Sequence, residues 1–276
     1  MKLLEARALT HVYPGKVQAL DRLDLHVERG RRLAILGANG SGKTTLLLHL
    51  NGTLRPQGGE ILLGGQPTGY DTASLTAWRR RVGLVLQNAD DQLFAATVGE
   101  DVSFGPLNLG LSEPQTRARV EFALGALHIQ DLAERPTHML SFGQKKRVAI
   151  AGLVAMQPEI LLLDEPTAGL DHEGHEDLLT VLEELGSHDT TLVFTTHDVD
   201  LAYRFADDVA LFKSGRTLAQ GPIADILTDN GLLRSAGLDA PLVLKLGLRA
   251  RELGILSADE PLPRSAEGAL ELLRKP

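Results

Sequence analysis

Apolar and polar positions divide this chain into short strand-like runs separated by longer helix-like stretches. Residues 3–9 alternate leucine and alanine with Glu5 and Arg7 before a break at Pro14 and Gly15. Leu23, Leu25 and Val27 recur at period two, which predicts a second strand over residues 20–27. Further short apolar runs follow at 33–36, 60–63 and 82–86, the last delivering Gln87. Ile160 to Leu163 is continuously apolar, the pattern of a parallel strand covered on both faces, and residues 192–194 repeat it. A final pair of strands is predicted at 209–212 and 215–220.

Between these runs the period changes. The stretch 91–157 reads as helical: Ser112 and Gln115 form a capping-box pattern with Pro114 in the first turn, and Ala123, Leu124 and Leu127 supply an apolar face. Leu178, Leu182 and Leu185 mark another helix, closed by Gly186. Strand–helix–strand alternation predicts an α/β fold with a mainly parallel sheet. After Gly221 the character shifts. Pro222, Pro241, Pro261 and Pro263 punctuate leucine-rich segments at 242–253 and 266–273, a small helical extension able to pack on the core or on a second subunit. Domain limits of 1–221 and 222–276 follow, with a helical subdomain over about 91–157.

Bulk properties narrow the function classes. Hydrophobic residues make up 43% of the 276, enough for a substantial core. A net charge of −8 gives no general nucleic-acid footprint. There is no cysteine, so disulfides and thiolate metal sites are excluded. Residues 1–8 carry Glu5 and Arg7 and do not read as a signal peptide, and no apolar run reaches the ~18 residues of a membrane span.

The centre of the chemistry is Gly37-Ala38-Asn39-Gly40-Ser41-Gly42-Lys43-Thr44-Thr45, placed between a predicted strand and a leucine-rich helix. In that context G-x-x-x-x-G-K-[ST] is a phosphate-binding P-loop. Gly37, Gly40 and Gly42 let successive backbone N–H groups curl round a phosphate, and the helix dipole points at the same anion. Lys43 neutralises the outer phosphates and the Thr44 hydroxyl holds Mg²⁺. An ordinary glycine-rich turn explains the glycines but not Lys43 and Thr44 in step with them. The apolar strand 160–163 ends at Asp164-Glu165, the Walker B arrangement, with Asp164 on the Mg²⁺ shell and Glu165 polarising the attacking water.

With Leu140-Ser141-Phe142-Gly143-Gln144, followed by Lys145-Lys146-Arg147, the set resembles the nucleotide-binding subunit of an ATP-binding-cassette (ABC) transporter. Ser141 and Gln144 also form a capping box, and a capped helix N-terminus is itself an anion site, so the two readings agree. The resemblance implies that Ser141, Gly143 and Gln144 face the γ-phosphate held by another subunit's P-loop. Phe142 replaces the family's commonest glycine, so its side chain must point away from the nucleotide. The resemblance further implies that Tyr13 stacks on adenine and Gln87 touches Mg²⁺ or the lytic water. It likewise implies that Asp171 crosses the dimer interface and that His197 contacts the γ-phosphate. The fold it implies is a P-loop NTPase core with an antiparallel β subdomain and a helical signature subdomain. ATP and Mg²⁺ are the implied cofactors.

Residues 87–94 and 101–110 narrow the resemblance to ATPases of energy-coupling-factor importers, especially the cobalt and nickel type. Asn88 can equally cap a short helix there, with Asp90 and Asp91 complementing its dipole. The branch implies an ATPase at the cytoplasmic face of the cell membrane. Its partners are a second ATPase subunit, a transmembrane coupling protein and a substrate-binding membrane subunit, with no nucleic acid. Every catalytic position is intact, so a homodimer is expected and a heterodimer is the alternative. His172 and His175 among acids do not match H-E-x-x-H and read as a solvated helix start. A soluble ABC-type ATPase in translation or DNA repair is the rival function. It fits less well with one cassette, no heptad run and a negative charge. A small-molecule P-loop kinase would lack residues 140–144, Asp171 and His197.

Overall fold

The computed structural model describes residues 1–186 and 190–272. Alternation at the N-terminus becomes a long hairpin, β1 (Lys2–Tyr13) against β2 (Val17–Glu28), antiparallel across a turn with Gly15 and Lys16 at positive φ. Period two holds on β2, where Leu23, Leu25 and Val27 are buried, but β1 is buried continuously from Leu3 to Ala6. Further along β1 the register shifts between Ala6 and Leu9, a bulge at which Ala8 has φ 47°.

β3 (Arg32–Leu36) and α1 (Lys43–Leu50) bracket the glycine-rich turn. β4 (Gly58–Leu63) and the short β5 (Gln66–Pro67) complete a four-stranded antiparallel sheet in the order β2-β1-β4-β5. α2 (Thr72–Arg81) starts at Asp71, whose carboxylate accepts the Ser74 N–H at 3.0 Å. Its Trp78 is buried at the far end of α1, the indole N–H donating to the Leu50 carbonyl at 3.1 Å. β6 (Val82–Val85) follows directly.

The helical stretch comprises α3 (Val98–Asn108), α4 (Glu113–Ala126) and α5 (Phe142–Val154), with two 3₁₀ turns between α4 and α5. Capping-box sequences start all three. At Ser112 the Gln115 Oε1 accepts the Ser112 N–H at 2.9 Å. Then come β7 (Ile160–Leu163), α6 (His172–Gly186), β8 (Thr191–Thr196), α7 (Val199–Phe205), β9 (Asp208–Lys213) and β10 (Arg216–Pro222). The second sheet has six strands in the order β10-β9-β3-β8-β7-β6. Every neighbour pair in it is parallel except β10–β9. This is the expected α/β architecture.

Its strands are apolar on both faces because both are covered. Ala34, Leu36, Leu161 and Leu163 belong to a core shared with the helices, whereas Leu33, Ile35, Ile160 and Leu162 face a core shared with α1 and the antiparallel sheet. Beyond β10 lie α8 (Ile223–Thr228), α9 (Asn230–Ala236), α10 (Leu242–Glu252) and α11 (Ala266–Leu272). Leu273, the end of the predicted last segment, lies outside the described residues. Leu227, Leu233, Ala236 and Leu244 join the main core, so this extension packs on its own chain while Leu242 and Leu246 face outward.

Candidate active site

Three adjacent strands end together at the carboxyl edge of the parallel sheet: β3, β8 and β7. This edge is where open α/β sheets bind ligands. The turn after β3 is shaped by two glycines for different reasons. Gly42 caps α1 at φ 105°, and a methyl group there would sit 2.3 Å from the Ala19 carbonyl oxygen. Gly37 does not have a positive φ; it is needed for clearance, because its Cβ would meet the Phe212 carbonyl oxygen at 2.4 Å. Asn39 and Gly40 form the exposed crest of the turn. Ser41 Oγ is buried without a protein partner, a donor suited to a phosphate oxygen.

Lys43, the first residue of α1, is almost fully buried. Its Nζ donates to the carbonyls of Gly37 and Ala38 at 2.7 and 3.2 Å, and lies 3.4 Å from Glu165 Oε1. The Thr44 hydroxyl donates to Asp164 Oδ2 at 2.7 Å, so a hydroxyl and a carboxylate converge at one point. Hard oxygen donors of this kind suit Mg²⁺. Gln87 lies exposed past the end of β6, and no hydrogen bond joins it to Thr44 or Asp164. Tyr13 is at the tip of β1; its hydroxyl is 3.3 Å from Thr45 Oγ1, and the His11 ring packs edge-on against it at 4.7 Å.

Glu165 is the strained residue of the site. Its φ is 46°, a left-handed conformation that costs a non-glycine residue about 1–3 kcal/mol and persists only where its surroundings fix it. Several groups do so. Its N–H donates to Thr195 Oγ1 at 2.9 Å, its Oε2 is 2.9 Å from His197 Nδ1, and its carbonyl accepts from the Ala168 N–H and from Lys146. Thr195 in turn donates to Asp164 Oδ1 at 2.5 Å. The backbone of Gly37 joins the same edge, its N–H donating to the Thr196 carbonyl at 3.2 Å.

The signature residues lie elsewhere. Ser141, Gly143, Gln144 and Asp171 line a cavity of about 440 Å³ at the start of α5, separate from the P-loop. The expected capping box is made: Gln144 N–H donates to Ser141 Oγ at 3.3 Å, and Ser141 N–H to Gln144 Oε1 at 3.0 Å. Asp171 starts α6, its Oδ1 accepting the Gly174 N–H at 2.9 Å. Phe142 turns towards its own chain, where its ring would lie 2.9 Å from a Cβ on Gly169. A larger cavity, about 760 Å³, is lined by Arg29, Phe122, Gln157, Glu159 and Leu185 and contains none of the candidate residues.

Thr195, Lys146 and Gln92 escaped sequence reasoning. Gln92 pins the chain after β6, its side chain bonding Leu86 N–H and the Leu84 carbonyl at 2.7 and 2.9 Å. The available signal for Thr195 was a polar pair ending the buried run Leu192-Val193-Phe194, beside a strand that ends in two carboxylates.

Known proteins resemble this chain in sequence and fold. The family profile described as ABC transporter matches residues 20–168. The chain is 64% identical over 268 residues to the Cobalt import ATP-binding protein CbiO of Rhodobacter capsulatus, covering 96% of this chain and 95% of that one. It is 46% identical to the Energy-coupling factor transporter ATP-binding protein EcfA of Methanoculleus marisnigri, with 92% of each covered. Among solved structures, cbiO1 of Clostridium perfringens, described as part of the ABC transporter complex cbiONQ, superposes with a TM-score of 0.77 at 39% identity. It covers 92% of this chain and 97% of that one. The cassette MJ0796, solved as a dimer bound to ADP and Pi, gives 0.73 at 29% identity, over 80% of this chain and 99% of that one. A P-loop turn, a Walker B edge and a separate signature helix, on a chain matched over most of its length by such proteins, place it in one family: this chain belongs to the ABC transporter ATPases.

Proposed function

We propose that this ATPase energises an energy-coupling-factor importer for cobalt or nickel ions, working as a pair at the cytoplasmic face of the membrane. One observation carries the pairing. The chain brings Lys43, Asp164, Glu165 and His197 to one sheet edge, yet places Ser141, Gly143 and Gln144 on a different cavity. A second chain facing the first would bring its signature helix to this chain's nucleotide, with Asp171 at the seam. Two equal copies are the favoured pair.

Within that arrangement Gly37 to Thr45 cradle the phosphates, with Tyr13 under the adenine. Thr44, Asp164 and Gln87 would hold Mg²⁺, which neutralises charge on the phosphate oxygens when bound. Glu165 polarises the attacking water, and His197, already bonded to it, orients its carboxylate and meets the γ-phosphate. The partner's helix N-terminus stabilises negative charge on the transferring group. ATP favours the closed pair only because it binds that state better than the open one.

Among the described residues no helix is long and apolar enough to cross a membrane. A membrane partner has a surface to grip. The exposed rings of Phe94 and Phe104 lie edge-on at 4.6 Å, and Asp101 Oδ2 holds the intervening backbone by accepting from Phe94 and Ala95 N–H, both at 2.9 Å. Lys145 ties the nearby Asp90 to the signature helix. The alternative in translation or DNA repair finds no support among the relatives.

The test is reconstitution with the membrane subunits that co-purify with the chain, followed by metal uptake into vesicles. ATP-dependent accumulation of cobalt or nickel, abolished by Glu165→Gln, is expected. Uptake indifferent to Glu165→Gln, or ribosome association sensitive to RNase in place of membrane partners, would overturn the reading.

A further inference from the structure

Lys146 is 1% exposed, among the largest fully buried side chains of the described residues. A lysine so placed calls for acceptors, and it finds two: its Nζ donates to the Glu165 carbonyl at 3.1 Å and to the Ala168 carbonyl at 3.0 Å. Neither is a carboxylate: its two hydrogen bonds go to backbone carbonyls, and the Phe142 ring lies 5.2 Å away. Burial pulls its pKa down to about 8, against the opposing pull of Glu165 and Asp164.

Position gives this contact its meaning. Lys146 lies on the first turns of α5, five residues beyond Ser141, while its acceptors bracket the segment running from Glu165 towards Asp171. The contact is reinforced at both ends. The Phe142 ring sits against Gly169, and a Cβ on Gly143 would lie 3.3 Å from Leu170. Glu165 also needs the support, since its left-handed φ of 46° has to be imposed from outside.

We propose that Lys146 is a positioning residue for hydrolysis: it ties the start of a chain's signature helix to that chain's own Glu165, so that movement of the helix at one nucleotide is transmitted to the carboxylate serving the other. This rests on the reading of Glu165 as the water-polarising group. Lys146 touches neither nucleotide nor water; it acts through the Glu165 and Ala168 backbone.

Lys146→Met keeps the length of the side chain and removes its donors. Its ATPase turnover should fall at least tenfold while ATP affinity, set by the P-loop, stays within threefold. Lys146→Gln, which restores an amide donor, should recover a substantial part of the loss. Phe142→Leu removes the ring over the ammonium and should lower turnover about threefold at unchanged affinity, which keeps the question decidable if the Met variant does not fold. Parent-like turnover in Lys146→Met, a parallel loss of affinity and turnover, or a Gln variant no better than Met would each overturn the proposal. Parent-rate hydrolysis by Glu165→Gln would overturn the reading of Glu165 and this proposal with it. An inactive Glu165→Gln beside a parent-like Lys146→Met overturns this proposal alone.

Discussion

Replacing Thr195 by valine removes one oxygen atom from the fully buried end of β8. That oxygen donates to Asp164 at 2.5 Å and accepts from the Glu165 N–H at 2.9 Å. Valine has nearly the same volume, so packing changes little and the cost is polar. A hydrogen bond to a charged group contributes about 1.5–3 kcal/mol, and a buried N–H left without a partner costs about 1–3 kcal/mol. The two together come to about 2.5–6 kcal/mol. For a chain of this size each kcal/mol lowers Tm by roughly 2 °C, so scanning calorimetry should show a fall of about 5–12 °C. Thr195→Ser keeps both hydrogen bonds and gives up one methyl group, worth about 1 kcal/mol or roughly 2 °C. Activity should separate the variants further. With its backbone released, Glu165 loses its fixed direction, and phosphate release by the Val variant should fall at least tenfold while ATP affinity stays within threefold. Equal melting of the Val and Ser variants, or parent-rate hydrolysis by valine, would refute the idea that this hydroxyl holds the two carboxylate residues in place.

Lys43→Ala should weaken ATP binding about 10–100-fold, since charge-assisted bonds contribute roughly 1.5–3 kcal/mol, and equilibrium nucleotide titration checks it. Gly42→Ala should lower the urea midpoint by the equivalent of about 1–3 kcal/mol, because a side chain is forced to φ 105° against the Ala19 carbonyl. Glu159 accepts from Arg81 and Arg29, and these bonds, Arg81's foremost, hold its carboxyl below the ordinary range. Its stabilisation is therefore complete above the ordinary carboxylate pKa and is lost as pH falls through the depressed one. Glu159→Gln should cost about 1 kcal/mol near neutrality and less in acid, as acid-unfolding curves of the two proteins will show.

What could be read in advance was whatever is contiguous. Gly37 to Thr45, Asp164-Glu165 and Ser141 to Gln144 each concentrate a chemical requirement into a few neighbouring residues, and the buried strands announce themselves by unbroken apolar runs. What stayed hidden depends on partners distant in the chain. Lys145, Lys146 and Arg147 are three consecutive cations, yet successive side chains on a helix point about 100° apart. Lys145 accordingly reaches Asp90, Lys146 turns inward to Glu165, and Arg147 reaches Asp177. Helix α2 went unpredicted although Asp71 and Ser74 carry its cap, because its only buried residue is Trp78 and an apolar period is missing. The burial of Glu5 on β1 also stayed hidden: its carboxylate pairs with Lys2 and Arg7, which hydropathy alone does not register.

Trp78 also furnishes a built-in optical probe. It is the only tryptophan in the chain, and its indole is bonded to the last residue of the helix whose first residue is Lys43. Tryptophan-selective excitation of an unlabelled sample therefore reports on one spot, a single helix length, roughly 12 Å, behind the phosphate-binding turn. Loosening of that helix would wet the indole and shift its spectrum to the red, so the state of the nucleotide pocket can be followed by light without attaching any dye.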